Sequence, residues 1–327
     1  MINFDYNKPS SVTAAIAALS KDPAAKFIAG GSNLVDLMKR GVVNPLKLVD
    51  ITGLPLRQIE QKGNVLSIGA LALNSEVAEN PLVKKHVPLL SQALQAGASP
   101  QIRNMATVGG NLLQRTRCGY FYDTALPCNK REPGTGCSAL KGYNRMHAIF
   151  GASDTCIAVH PSDMCIALAA LDAVVVVQSN KGTRKIAFHD FHRLPGAHPE
   201  LDNTLQKNEL IIAVEVPLNA GFAQHSVYTK IRDRASYAFA LVSVAAAIEL
   251  DGNTISACKL AMGGVAHKPW RLMEAEKFLA GKVASLSNFT EAAARAVAGA
   301  KGFGHNDFKI KLATNTIIHT LESATRS

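Results

Sequence analysis

Residues 97–118 read GASPQIRNMATVGGNLLQRTRC, and residues 121–137 read FYDTALPCNKREPGTGC. The first stretch contains the pair Gly109-Gly110, and residues without a Cβ let backbone N–H groups approach a phosphate closely. The second stretch has little hydrophobic pattern. It contains Cys128 and Cys137, and Cys118 precedes it closely. Two cofactor-binding patterns therefore lie side by side in the chain.

The composition favours a folded protein of two or three compact units. The chain has 327 residues, of which 47% are hydrophobic, and this is enough for a substantial core. The formal net charge is +10, but Lys and Arg are scattered and aromatic residues make up only 6%. A nucleic-acid surface concentrates its basic residues on one face or stripe. We therefore expect no nucleic-acid partner, and an acidic protein or an anionic cofactor explains the charge as well.

The sequence also argues against a membrane span. The longest apolar run, residues 237–250, is interrupted by Ser243 and is shorter than the ~20 residues that a spanning helix needs. The N-terminal residues MINFDYNKPSS lack the basic region, apolar core and cleavage site of an export signal. We expect either a cytoplasmic protein or one that a partner carries out of the cytoplasm.

The N-terminal part predicts a βαβαβ unit. Its strands are expected at 2–6, 27–28 and 46–51 and its helices at 12–19 and 34–39. The turn Ala29-Gly30-Gly31-Ser32-Asn33 joins the second strand to the second helix, where free N–H groups suit an anion, although an ordinary tight turn fits as well. Residues 107–111 repeat the apolar-Gly-Gly-polar pattern. Two such turns suggest a diphosphate held between subdomains, without the G-x-G-x-x-G spacing of a Rossmann site.

The cysteines predict a metal centre. Cys118, Cys128, Cys137 and Cys156 have the spacing C-x9-C-x8-C-x18-C in a segment without its own core, and a bound metal centre would order such a segment. Structural zinc favours paired C-x2-4-C knuckles, which are absent here, so an iron–sulfur cluster is the better prediction and zinc the alternative. The two remaining cysteines, Cys165 and Cys258, lie in apolar contexts and are interpreted as buried free thiols.

The C-terminal part predicts strands followed by helices. Strands are expected at 226–232, 237–250 and 254–262 and helices at 271–280, 288–298 and 308–322. This order is typical of an α+β domain. Asp163, at a helix start after His160, has two interpretations: a structural carboxylate near a helix N-terminus or a partner of a cofactor.

Several segments together resemble the FAD-binding medium subunit of the molybdenum hydroxylases. They read AGGSNLVDLMK (29–39), QIRNMATVGGNLLQRTRCGYFYDT (101–124), PCNKREPGTGC (127–137), HPSDM (160–164) and KIRDRASYAFALVSVAAAI (230–248). The resemblance implies an α+β protein: a two-subdomain FAD-binding fold of the vanillyl-alcohol-oxidase type, followed by a C-terminal domain like that of CO dehydrogenase flavoproteins. The predicted units are residues 1–55, residues 56–220 with a cysteine-rich insertion at 115–156, and residues 221–327.

The resemblance also implies the site. Residues that wrap the FAD diphosphate would be Phe27, Ile28, Ala29, Gly30, Gly31, Ser32, Asn33, Leu34, Thr107, Gly109, Gly110 and Asn111. Gln101 and Arg103 would flank the second turn, Asp163 would approach the flavin, and Lys230 and Tyr237 would lie on a strand facing it. In the aldehyde oxidoreductase branch, the cysteine loop holds a 4Fe-4S cluster, which implies Cys118, Cys128, Cys137 and Cys156 as ligands. Nearby cations, hypothesised to offset its charge, are Arg115, Arg117, Lys130 and Arg131.

The implied function is electron transfer within a heterotrimer. A large subunit would carry the molybdenum cofactor that oxidises an aldehyde, and a small subunit would carry two 2Fe-2S clusters. The FAD of this chain would pass the electrons to an external acceptor, and no side chain needs to act as an acid or base. Periplasmic location by co-export with a signal-bearing partner is implied, with the cytoplasm as the alternative. The alternative function is a zinc-binding scaffold subunit without a redox role.

Overall fold

The structure is a computed structural model that describes residues 1–22 and 24–326. A three-stranded parallel sheet forms first, from β1 (Asp5–Asn7), β2 (Ala25–Ile28) and β3 (Lys47–Asp50) in the order β1-β3-β2. Helices α1 (Val12–Lys21) and α2 (Leu34–Lys39) connect these strands, and Ser11 caps α1 by accepting a hydrogen bond from the Ala14 N–H. This confirms the predicted βαβαβ unit and places the first glycine turn at the carboxyl end of β2.

A five-stranded antiparallel sheet follows in the order β4-β5-β8-β6-β7. Its strands are β4 (Ile59–Lys62), β5 (Val65–Gly69), β6 (Val174–Ser179), β7 (Gly182–Ala187) and β8 (Leu210–Pro217). The helices between β5 and β6 are α3 (Asn74–Glu79), α4 (Pro81–His86), α5 (Pro88–Ala96), α6 (Pro100–Arg103), α7 (Val108–Leu112), α8 (Gly119–Tyr122) and α9 (Asp163–Ala170). Short helices α10 (Phe188–Phe191) and α11 (Ala220–Gln224) follow β7 and β8.

The C-terminal unit is a four-stranded antiparallel sheet covered by three helices. The strands β9 (His225–Ile231), β10 (Val242–Asp251), β11 (Thr254–Gly263) and β12 (Trp270–Arg271) lie in the order β12-β11-β10-β9. The helices are α12 (Met273–Leu279), α13 (Leu286–Val297) and α14 (Phe308–Arg326). Val244 and Ile248 of β10 face the core under these helices, whereas Ala245 and Ala247 face the core of the middle unit. Burial of both faces explains the long apolar run of β10.

One predicted strand starts later than the sequence suggests. The strand predicted from Tyr237 begins at Val242, because the preceding loop turns sharply. Tyr237 has a φ of 50°, which is the left-handed region that a bulky residue adopts at a cost in energy. The prediction that Tyr237 lies on a strand is therefore wrong, whereas Lys230 does lie on β9.

The cysteine-rich insertion is ordered by docking onto its neighbours. Phe121 packs with Leu37 and Val42 in a small apolar cluster, and a short 3-10 helix spans Ser138–Leu140. The Asn144 side chain donates to the carbonyl of Phe303, at 2.8 Å. These contacts replace the separate core that the sequence lacks.

A buried ion-pair cluster fixes the start of the insertion. The Asp202 carboxylate pairs with the Arg115 guanidinium at 2.6 Å and also with the Lys130 ammonium, whose side chain is 2% exposed. Burial alone would raise the pKa of Asp202, but the two cations hold it at about 2. Arg115 and Lys130 are thus neutralised in part by Asp202, so they are not wholly available to offset charge on the cysteines.

Within the part of the chain that the structure describes, no helix combines the length and apolar character needed to cross a membrane.

Candidate flavin site and cysteine cluster

Two adjoining cavities lie where the three sheets meet. The main cavity, of about 600 Å³, is lined by residues from all three units, among them Asn33, Asn111 and Lys230. The side cavity, of about 410 Å³, is lined by the insertion and the C-terminal unit, including Cys118 and His147. Ser162, Asp163 and Phe239 line both cavities. The main cavity therefore adjoins the cysteine segment.

The first glycine turn presents unpaired backbone donors. Within residues 1–22 and 24–326, the N–H groups of the turn from Gly30 to Asn33 have no acceptor. A Cβ on Gly30 would lie 1.7 Å from the Met105 carbonyl oxygen, and Gly31 has a φ of +68°. A side chain would clash at the first position and strain the backbone at the second, so both positions favour glycine. The turn they form is suited to hold an anion at the start of α2.

The second glycine turn differs from the first in its hydrogen bonds. The Gly109 N–H donates to the Ala70 carbonyl at 2.8 Å, and the Gly110 N–H donates to the Thr107 hydroxyl at 3.3 Å. The Asn111 N–H donates to the Thr107 carbonyl at 2.8 Å. The expectation that both turns offer the same free N–H groups is therefore wrong, because the N–H groups of Gly109, Gly110 and Asn111 already have acceptors within the chain.

Two asparagines bring orphaned polar atoms to the main cavity. Asn33 accepts a hydrogen bond from the Arg115 N–H through Oδ1 at 2.9 Å, whereas its Nδ2 is buried without a partner in the described chain. Asn74 Oδ1 is likewise buried and unpaired there. Both residues line the main cavity. A buried polar group without a partner costs about 1–3 kcal/mol, so these atoms favour a polar ligand.

Asp163 and Lys230 form a buried ion pair between α9 and β9. Lys230 Nζ lies 2.8 Å from Asp163 Oδ2, and the Tyr228 hydroxyl donates to Asp163 Oδ1 at 2.7 Å. Burial, and then the Asp163 carboxylate, raise the pKa of Tyr228 well above its usual range. Asp163 and Lys230 both line the main cavity, but each already has the other as its ion-pair partner. Tyr228 was not identified from the sequence.

The remaining residues of the expected site divide into three groups. Ser32, Arg103, Gly110 and Asn111 line the main cavity, and Arg103 also donates to the Gly97 carbonyl at 2.7 Å. The residues of the two turns that line neither cavity are Phe27, Ile28, Ala29, Gly30, Gly31, Leu34, Thr107 and Gly109. Gln101 is exposed on α6 and also lies outside both linings.

Backbone strain is concentrated at the main cavity. Three non-glycine residues of the described chain have positive φ, and two of them, Ala98 and Tyr237, line this cavity. Strained residues tend to cluster at functional sites. No sequence pattern indicates the strain at either position.

The structure brings the four cysteines of the insertion together. Cys128 and Cys137 face each other across an isolated β-bridge. The Cys156 thiol donates to Cys137, which lowers the pKa of Cys137 to about 6 and, together with burial, raises the pKa of Cys156. Burial, together with the charges of Cys128 and Cys137, raises the pKa of Cys118 to about 11. Buried and mutually interacting thiols suit a cationic centre, which stabilises their thiolates.

Backbone donors also point at these sulfur atoms. The N–H groups of Tyr120 and Phe121 hydrogen-bond Cys118, and that of Ala158 hydrogen-bonds Cys156. Hydrogen bonds to sulfur are a recurring feature of iron–sulfur ligation. The side chain of His147 adds another contact that was not identified from the sequence, with Nε2 3.1 Å from Cys118 Sγ.

A second set of potential ligands lies in the core nearby. His160, Cys165 and His192 are buried, and their ligand atoms lie within 4.8 Å of one another. Burial lowers the pKa of both imidazoles. Burial also raises the pKa of Cys165 to about 12, which agrees with the interpretation of Cys165 as a buried free thiol.

Two family models of one class of flavoprotein together match most of the chain. The family model described as the FAD binding domain in molybdopterin dehydrogenase matches residues 2–219, and that of the CO dehydrogenase flavoprotein C-terminal domain matches residues 226–324. The chain belongs to the FAD-binding subunits of the molybdenum hydroxylase family, which are oxidoreductases. This confirms the family, the fold class and the FAD cofactor expected from the sequence.

Individual relatives agree with this assignment. The chain is 47% identical to the aldehyde oxidoreductase FAD-binding subunit PaoB of Escherichia coli over 98% of both chains. It is 32% identical to the glyceraldehyde dehydrogenase medium chain of Sulfolobus acidocaldarius, over 85% of this chain and 82% of the relative. A solved structure of carbon monoxide dehydrogenase from Hydrogenophaga pseudoflava aligns over 100% of this chain and 99% of the other, with a TM-score of 0.79 and 26% identity.

Proposed function

We propose that the chain is the electron-transfer subunit of a molybdenum-dependent aldehyde oxidoreductase. The observation that carries this proposal is the main cavity, whose lining includes Ser32 and Asn33 of the glycine turn with unpaired N–H groups, inside a fold of this family. The aldehyde is inferred from the name of the relative that is 47% identical.

The residues of the chain bind and orient the cofactor. The N–H groups from Gly30 to Asn33 would hold the diphosphate, and Arg103 adds a cation at the cavity wall. Asn33 Nδ2 and Asn74 Oδ1 supply an unpaired donor and acceptor. When bound, FAD supplies the capacity to take up electrons from one centre and deliver them to another.

The proposed assembly is a heterotrimer. Relatives are named medium chains or medium subunits, which supports a large partner with the molybdenum cofactor and a small partner with 2Fe-2S clusters. We also propose periplasmic location by co-export with a signal-bearing partner, as the family resemblance implies; the cytoplasm is the alternative.

A 4Fe-4S cluster bound by Cys118, Cys128, Cys137 and Cys156 completes the proposal. The sequence lacks the paired C-x2-4-C knuckles of structural zinc sites, which favours the larger cluster over zinc. The backbone donors at Cys118 and Cys156 are suited to its sulfur ligands.

Cofactor content of the purified complex tests the proposal. We expect flavin together with iron and acid-labile sulfide in the ratio of the proposed clusters, after allowance for the 2Fe-2S subunit, and no stoichiometric zinc. Separation of the subunits under anaerobic conditions then assigns iron to this chain. A colourless chain that contains zinc would instead support the scaffold function.

A further inference from the structure

His147 lies against the cysteine cluster at the inner end of the insertion. Its Nε2 is 3.1 Å from Cys118 Sγ, and the residue is 5% exposed. Water therefore has little access to compete for this contact, and in a low-dielectric interior a hydrogen bond is electrostatically stronger than in water.

The backbone of His147 is fixed on both sides. Its N–H donates to the Asn144 carbonyl at 2.9 Å. Its carbonyl accepts from the Lys309 ammonium at 3.1 Å and from the Asn306 amide at 3.2 Å. Lys309 and Asn306 are both completely buried. The C-terminal unit thus fixes the backbone of His147 beside Cys118.

A metal-bound cysteine determines which partner donates. The ligand is a thiolate, so its sulfur has no proton and only accepts hydrogen bonds. Nε2 must therefore carry the proton and donate it to Cys118 Sγ. A donor at this position stabilises negative charge on the sulfur, and one-electron reduction of a cluster increases that charge.

We propose that His147 raises the reduction potential of the cluster through a hydrogen bond to Cys118. This inference rests on the 4Fe-4S cluster under the proposed function. Cys118 is the only cysteine that lines the side cavity, and His147 lines the same wall. The hydrogen bond therefore acts on the cluster ligand that faces the flavin side, which makes His147 a positioning residue for electron transfer.

The test compares two variants in the purified complex. His147→Leu removes the donor and keeps a side chain of similar bulk, whereas His147→Gln keeps an N–H donor. We expect His147→Leu to retain iron and flavin but to lower the equilibrium constant for reduction of the cluster roughly tenfold. An EPR-monitored redox titration should show this as a negative shift of about 59 mV in the one-electron reduction potential. His147→Gln should keep the potential close to that of the unmodified complex. His225→Leu is the control, because His225 lies at the start of β9 and not in the insertion.

Equal potentials for His147→Leu and the unmodified complex would overturn the proposal. An equal shift in His147→Leu and His147→Gln would also overturn it, since packing rather than a donor would then be responsible. If His147→Leu does not fold, ¹⁵N-histidine labelling of the unmodified complex still decides: a nitrogen coupling to the reduced cluster that His147→Gln removes supports the hydrogen bond, and its absence contradicts it. A chain without iron in the unmodified complex would instead refute the cluster itself.

Discussion

Gly30→Ala is expected to release the flavin. A Cβ at this position would lie 1.7 Å from the Met105 carbonyl oxygen, which is backbone and has no rotamer that avoids the clash. The first turn must then shift away from Met105, and its free N–H groups lose their alignment. Overpacking of this kind typically costs about 1–3 kcal/mol, which corresponds to roughly a ten- to hundredfold weaker affinity for FAD.

Fluorescence titration of the apo chain with FAD measures this loss. Gly53→Ala is the matched control in the same unit, because its Cβ would meet only the flexible end of the Lys8 side chain, at 3.4 Å. Circular dichroism melting separates a binding defect from unfolding. If Gly30→Ala binds FAD as tightly as the control does, the first turn does not hold the diphosphate.

Cys128→Ser is expected to remove the iron of this chain while flavin remains bound. A serine hydroxyl does not replace a thiolate ligand, and Cys128 lies outside the lining of the main cavity. The small apolar cluster with Phe121 and Leu37 loses one sulfur contact, so a modest loss of stability accompanies the loss of metal.

The control for Cys128→Ser is Cys258→Ser, since Cys258 is also a buried free cysteine but lies in the core of the C-terminal unit. Both variants are assayed for iron, labile sulfide and flavin in the same preparation. Unchanged iron in Cys128→Ser, or equal losses in both variants, would contradict the assignment of Cys128 as a ligand.

The sequence predicts much of the N-terminal unit because local signals suffice there. A strand, a glycine pair and a helix follow one another within a short span, and α2 lies where it was expected, at Leu34–Lys39. β4 was not predicted, because its sequence IEQK is polar and three of its four residues are exposed. An edge strand of this kind can be recognised only when its pairing with β5 is known.

The differences at the site come from contacts between residues far apart in the chain. The second glycine turn has the same local pattern as the first, but Ala70 and Ala72 accept its first N–H groups. Asp163 is paired by Lys230 of β9, and His147 meets Cys118 only because the insertion folds back on itself. Pairings of this kind depend on tertiary packing, so one sequence does not determine them.

Under the proposed function, this chain carries electrons from aldehyde oxidation through its FAD. The most direct measurement is anaerobic stopped-flow mixing of an aldehyde with the complex purified through a tag on this chain. We predict that the flavin absorbance bleaches on mixing and returns when an electron acceptor is added. An intact complex with full flavin and molybdenum cofactor whose flavin absorbance does not respond to any of a series of aliphatic and aromatic aldehydes would contradict the account.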